Sequence, residues 1–167
     1  MKLLEFGCGT GSTALTHASL VNHILAIDFS EKMIEIAEAK RNSAGIQNVD
    51  FKCTSIESLN EGENSYDIVL GLSILHLLKN WNEMIQKVYL LLKPGGWFIS
   101  SSACIADSMK ILKYIAPVGR SIGLLPDLAI FTKAELEQGL CSAGFRLERE
   151  WQPDKKQAVF IVAQKPK

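Results

Sequence analysis

The stretch Phe145–Gln164, FRLEREWQPDKKQAVFIVAQ, decides the fold. Phe145 to Trp151 and Gln157 to Gln164 each read as a strand. Only Gln152 to Lys156 lies between them, with Pro153-Asp154 as a turn signal. A parallel crossover needs a dozen or more residues, so the two strands must be antiparallel neighbours.

Upstream of that hairpin, strands alternate with helices. Lys2 to Phe6 and Ile24 to Asp28 are strands on either side of an amphipathic stretch from Ser12 to Leu20. Ser30 is placed to N-cap a second helix, with Met33, Ile34, Ile36 and Ala37 inward and an end near Gly45. Val49 to Cys53 and Tyr66 to Gly71 are the third and fourth strands. Ile85, Val88, Leu91 and Leu92 stripe a helix that Pro94, Gly95 and Gly96 stop, and Trp97 to Ser101 is the fifth strand. Thr132 and Glu135 form a capping box for a last helix ending before Gly144. The expected fold is α/β, a Rossmann-like, doubly wound, mostly parallel sheet of seven strands with one strand reversed. A dinucleotide-binding sheet would continue with another crossover helix instead.

Composition suits a single domain over residues 1–167, with 47% hydrophobic and 22% charged residues. A chain of this length buries roughly 70% of its unfolded surface and needs no disulfide or metal. Cys8, Cys53, Cys104 and Cys141 are scattered, without a C-x-x-C pair or a nearby His, and read as reduced thiols of a cytoplasmic protein with no metal site. Lys+Arg equals Asp+Glu at 18, without a block of like charge, which argues against nucleic acid or an anionic membrane as partner. No stretch approaches the ~18 apolar residues of a transmembrane helix, and no signal-peptide pattern is present.

The first strand runs into LLEFGCGTGS, Leu3–Ser12. Gly7, Gly9 and Gly11 are expected to let the backbone approach a ligand where a Cβ would intrude. The loop also opens a helix, whose N-terminus favours a carboxylate. Its G-x-G-x-G spacing is one residue short of the dinucleotide fingerprint. Glu5 would repel a pyrophosphate but suits a positive amino group; its other reading is a solvent-facing strand residue. Asp28 ends the second strand, 21 positions after Gly7, where a carboxylate takes both ribose hydroxyls in nucleotide-binding folds. Its other reading, a helix N-cap, is weakened because Ser30 already serves.

Five motifs in order carry a resemblance: Leu3 to Gly11, Ala26-Ile27-Asp28-Phe29-Ser30, Tyr66 to Leu70, Leu92-Lys93-Pro94-Gly95-Gly96, and Ala143-Gly144-Phe145. The chain resembles class I S-adenosylmethionine-dependent methyltransferases, particularly the small-molecule group with an E/D-x-G-x-G-x-G loop. That resemblance implies strand order 3-2-1-4-5-7-6 with strand 7 antiparallel, S-adenosyl-L-methionine as cofactor, and methyl transfer. It assigns Glu5, Gly7, Cys8, Gly9 and Gly11 to the methionine end, with Asp28 on the ribose. Phe29, Met33, Ser55 and Ile56 fall beside the adenine, and Gly71 and Leu72 near the methionine portion. Ser55 stands where many relatives carry Asp, and Met33 reads equally as helix core.

His76 is the candidate base by the same resemblance; its other reading is an imidazole that only caps or packs. His17 and His23 read as surface residues. Amino methyltransferases carry Asn/Asp-Pro-Pro-aromatic after the fourth strand, whereas Gly71-Leu72-Ser73-Ile74 stands here, so a small-molecule acceptor is expected. The apolar stretch 104–131 reads either as a lid over an apolar or aromatic acceptor or as a helix packed on the sheet. Relatives carry tens of residues, including a helix over the cofactor, before the first strand, but this chain starts one residue before it. That start is read as an internal one in a longer chain, as an open site, or as a site that the neighbour in a homodimer covers; it leads to an expectation of weak cofactor binding. The alternatives to a methyltransferase are a non-catalytic S-adenosylmethionine-binding module, a truncated inactive methyltransferase, and a nicotinamide oxidoreductase, which the glycine spacing and the hairpin oppose.

Overall fold

The computed structural model describes residues 1–104, 129–154 and 157–167. Seven strands form one sheet in the order β3-β2-β1-β4-β5-β7-β6. They are β1 (Lys2–Phe6), β2 (His23–Asp28), β3 (Val49–Cys53), β4 (Tyr66–Leu72), β5 (Leu92–Ser102), β6 (Arg146–Trp151) and β7 (Val159–Gln164). The first five run parallel, and β7 is antiparallel to both β5 and β6. The closing hairpin therefore has the direction that its short connection dictates. It starts one residue late because the Phe145 ring is buried and its N–H donates to the Leu140 carbonyl.

Four described helices flank the sheet: α1 (Ser12–His17), α2 (Glu31–Ala44), α3 (Trp81–Leu91) and α4 (Lys133–Ser142). After α1 the chain tightens into a 3-10 turn over Ala18–Leu20. Apolar residues of the two sheet faces form separate cores. Leu4, Phe6 and Phe98 pack with α3 and α4, while Leu3, Ala26 and Phe51 pack with α1 and α2. No described helix is long and apolar enough to cross a membrane.

Two helix expectations need correction. Ile34 and Ala37 are buried on α2, but Met33 and Ile36 are 40% and 45% exposed, because the buried stripe of this helix is only one residue wide per turn. Ser30 occupies the N-cap position of α2 without a side-chain cap bond; instead its N–H donates to Asp28 Oδ1 at 2.9 Å. The fifth strand is also longer than its apolar run. Tyr66 pairs with Leu92 and Ile68 with Trp97, so residues 93–96 loop out of the ladder. Gly95 takes a left-handed φ of 80° there, and its N–H donates to the Lys165 carbonyl. Leu92 thus belongs to β5, and Lys165 Nζ closes the end of α3 through the Tyr89 and Leu92 carbonyls at 2.8 and 2.7 Å.

Candidate functional site

Strands β1, β2 and β3 end side by side, and the loops after them build the candidate site. Gly7, Gly9 and Gly11 have φ of 70°, 52° and 73°, a region that side chains other than glycine rarely adopt. A Cβ on Gly7 would sit 2.7 Å from the Ile74 side chain, and one on Gly11 would sit 2.5 Å from the Phe51 ring. Only at Gly9 would it meet nothing within 4 Å. Gly7 and Gly11 are thus also required by internal packing, Gly7 lines a cleft as well, and the position of a Cβ on Gly9 is open. The Cys8 side chain is buried in the α1/α2 core, where burial pushes its thiol up to about 12, so only its backbone belongs to the loop.

Two carboxylates flank this loop. Asp28 Oδ2 accepts the Gly9 N–H at 2.9 Å and Oδ1 accepts that of Ser30, so the same side chain shapes the loop and starts α2. Each oxygen keeps a further lone pair for a ligand hydroxyl. Glu5 is 3% exposed, which excludes the solvent-facing reading. Burial raises its carboxyl to about 7, partly offset by bonds from the Ala14 amide and the Thr13 hydroxyl. Its Oε2 has no hydrogen-bond partner among the described residues. A buried carboxylate with an unused oxygen is costly on its own and suits an arriving cation.

A shallow cleft lies on the other side of the loop, lined by Phe6, Gly7, Phe29, Ser55, Ile56 and Leu78 among others. Its volume is ≈ 30 Å³. Phe29 stands at this cleft 77% exposed, with Ile56 buried below. Ser55 Oγ already accepts the Ser58 N–H and donates to the Ser58 hydroxyl, both at 3.3 Å, leaving one lone pair for a ligand. Met33 does not line the cleft. Neither do Gly71 and Leu72: a Cβ on Gly71 would strike the Phe6 ring at 2.5 Å, so its bareness serves the core.

Beyond β4, Ser73 takes a left-handed φ of 56°, held by its N–H donating to the Ser101 carbonyl and hydroxyl at 2.9 and 3.0 Å. His76 follows on a 3-10 turn, Leu75–Leu77. It is half-buried, its Nδ1 has no partner among the described residues, and burial lowers its pKa, which keeps the ring neutral at pH 7. His17 bonds the Thr13 carbonyl within its own helix, and His23 bonds Asp50 on the neighbouring strand. Of the expected lid 104–131, only Cys104, Ala129, Ile130 and Phe131 are described; residues 105–128 lie outside the described residues. Lys40 and Ser101 join the site without a sequence signal, since a lysine on a charged helix and a serine in a Ser-Ser-Ser run look like any others.

The strand order coincides with that of a known family. A family model described as a methyltransferase domain matches residues 3–96. This chain belongs to the methyltransferase-domain family. A curated relative, malonyl-(acyl-carrier protein) O-methyltransferase of Bacillus cereus, is 34% identical over 104 residues, which is 61% of this chain and 37% of that protein. The chain thus spans little more than a third of that relative's length. The crystal structure of the YcgJ protein from Bacillus subtilis superposes with a TM-score of 0.80 at 16% identity, covering 99% of this chain and 92% of that one. A SAM-dependent methyltransferase structure from Methanosarcina mazei gives a TM-score of 0.79 at 22% identity, covering 99% and 92%. At such identities the structures establish the methyltransferase fold.

Proposed function

We propose that this methyltransferase domain binds S-adenosyl-L-methionine between Glu5 and Asp28 and transfers its methyl group to a small, apolar or aromatic acceptor. The observation that carries the reading is the buried Glu5 carboxyl, with one oxygen unpartnered among the described residues, beside a glycine loop where a Cβ on Gly9 would meet nothing within 4 Å. That arrangement suits an amino-acid ammonium, and Asp28 with its spare lone pairs suits ribose hydroxyls. The cofactor would supply a methyl already activated by its sulfonium. The chain's own contribution is then alignment, which can be worth ~7–11 kcal/mol. Phe29 and Ile56 would seat the base, and Ser55 would offer it a single acceptor.

Glu5 makes the binding depend on pH, with a definite sign. Its carboxyl must be ionised to pair with an ammonium, and burial holds that ionisation at about 7. Affinity for S-adenosylhomocysteine is expected to be level above pH 7 and to fall about tenfold per pH unit below it, as the ionised fraction falls. Calorimetry between pH 6 and 8 checks this, and Glu5→Gln should flatten the profile.

His76 is the residue proposed to take a proton from the acceptor. Its Nδ1 has no partner, and its lowered pKa leaves it unprotonated at neutral pH. Screening metabolite extracts with a labelled methyl donor would identify the acceptor and test the activity itself. With that acceptor, the pH-rate profile should show an acid limb below pH 6.5 that His76→Ala removes. Full activity and an unchanged profile in His76→Ala would dispose of the base.

A further inference from the structure

Gly11 is the N-cap of α1 and brings no side chain, and α1 begins without a side-chain cap bond. The loop before it contains left-handed glycines at Gly9 and Gly11, which have much conformational freedom to lose. Something distant in sequence must hold this stretch in place. On one side that is Asp28, through the Gly9 amide. On the other side it is α2. A Cβ on Gly11 would lie 2.8 Å from the Ala37 Cβ, so α2 packs directly on the loop. Lys40 follows Ala37 by three residues, on the same helical face. Its Nζ lies 3.2 Å from the Thr10 carbonyl oxygen, 2.9 Å from the Thr10 hydroxyl and 3.1 Å from the Ser12 hydroxyl. An ammonium has three hydrogens, and these oxygens use all of them.

We propose that Lys40 is a positioning residue for the amino-acid end of the cofactor, holding Thr10–Ser12 in the shape that end requires. The proposal rests on the S-adenosylmethionine reading of the site. Thr13 and Ala14, the residues directly after the clamped stretch, are the ones whose hydroxyl and amide bond the Glu5 carboxyl. The order of Thr10–Ser12 is therefore transmitted to the one buried group suited to an ammonium. Asp28 and the Phe29–Ile56 cleft suit the nucleoside half, and among the described residues the hydrogen bonds of Lys40 go to Thr10 and Ser12 and not to them. Lys40 itself is exposed, so its bonds compete with water and add little to global stability. Its effect is local order in the loop.

The test uses S-adenosylhomocysteine and 5′-methylthioadenosine, which keeps the nucleoside half and lacks the amino-acid end. Wild type, Lys40→Met and Lys40→Arg are compared by calorimetry, with amide hydrogen exchange on the ligand-free proteins. Lys40→Met should weaken S-adenosylhomocysteine about five- to twentyfold and leave 5′-methylthioadenosine within about twofold. Lys40→Arg should restore the first ligand to within about threefold of wild type, and amides of residues 9–12 should exchange about fivefold faster in Lys40→Met. Equal weakening of both ligands, or unchanged loop exchange, would overturn the proposal. A wild type that binds neither ligand would refute the cofactor reading instead, while the exchange comparison would still decide whether Lys40 holds the loop.

Discussion

Gly11→Ala is expected to destabilise the protein by about 2–5 kcal/mol, enough to remove a large part of an ordinary domain's stability. Two costs add. A left-handed φ of 73° strains any residue with a Cβ, by ~1–2 kcal/mol. The new methyl would also lie 2.5 Å from the Phe51 ring and 2.8 Å from Ala37, and overpacking of this kind costs ~1–3 kcal/mol. Neither neighbour can withdraw easily, because Phe51 and Ala37 are part of the core between α2 and the sheet. Gly9→Ala is the informative contrast. Its φ of 52° carries a similar strain, but nothing lies within 4 Å of the added methyl. It should cost only ~1–2 kcal/mol in urea unfolding while still obstructing a ligand that approaches the loop. Equal losses in the two variants would mean that the packing around Gly11 is not what makes it glycine.

Asp28→Ala is expected to weaken S-adenosylhomocysteine binding ten- to a hundredfold, or ~1.4–2.7 kcal/mol. A charge-assisted hydrogen bond contributes ~1.5–3 kcal/mol, and Asp28 is placed to give two to a ribose. The structure adds a second route to the same loss, since Asp28 Oδ2 also fixes the Gly9 amide. Asp28→Asn separates the routes: one amide oxygen remains to accept a loop N–H, while the charge is gone. Its affinity should fall between wild type and Asp28→Ala in calorimetry. Unchanged affinity in Asp28→Ala would remove this residue from the site.

The fold was legible because its deciding features are local. A connection too short for a crossover, from Trp151 to Val159, allows one direction only, and alternating strands and helices leave few ways to build the rest. Glu5 and Asp28 could be singled out as candidates for the same reason: Glu5 is next to last in β1 and Asp28 is last in β2, both beside the glycine loop. Less could be read where tertiary packing sets the role. Nothing local shows that Gly7 and Gly11 answer to Ile74 and Phe51, or that Gly71 answers to Phe6. Ser30 has the identity of an N-cap, yet the shared Asp28 carboxylate takes over part of its work. Ser55 is drawn into a turn by Ser58, a contact that the residue types alone do not announce. The loop at 93–96 escaped because its partner, Lys165, lies some seventy positions away.

The central claim is that the space between Glu5 and Asp28 holds an adenosyl amino acid and not a dinucleotide. Calorimetric titration of the wild-type chain at pH 8 with S-adenosylhomocysteine, and separately with NAD, tests it most directly. The account predicts saturable one-to-one binding of S-adenosylhomocysteine with a dissociation constant below about 1 mM, and no binding of NAD in the same range. Binding of NAD without S-adenosylhomocysteine, or of neither, would contradict it.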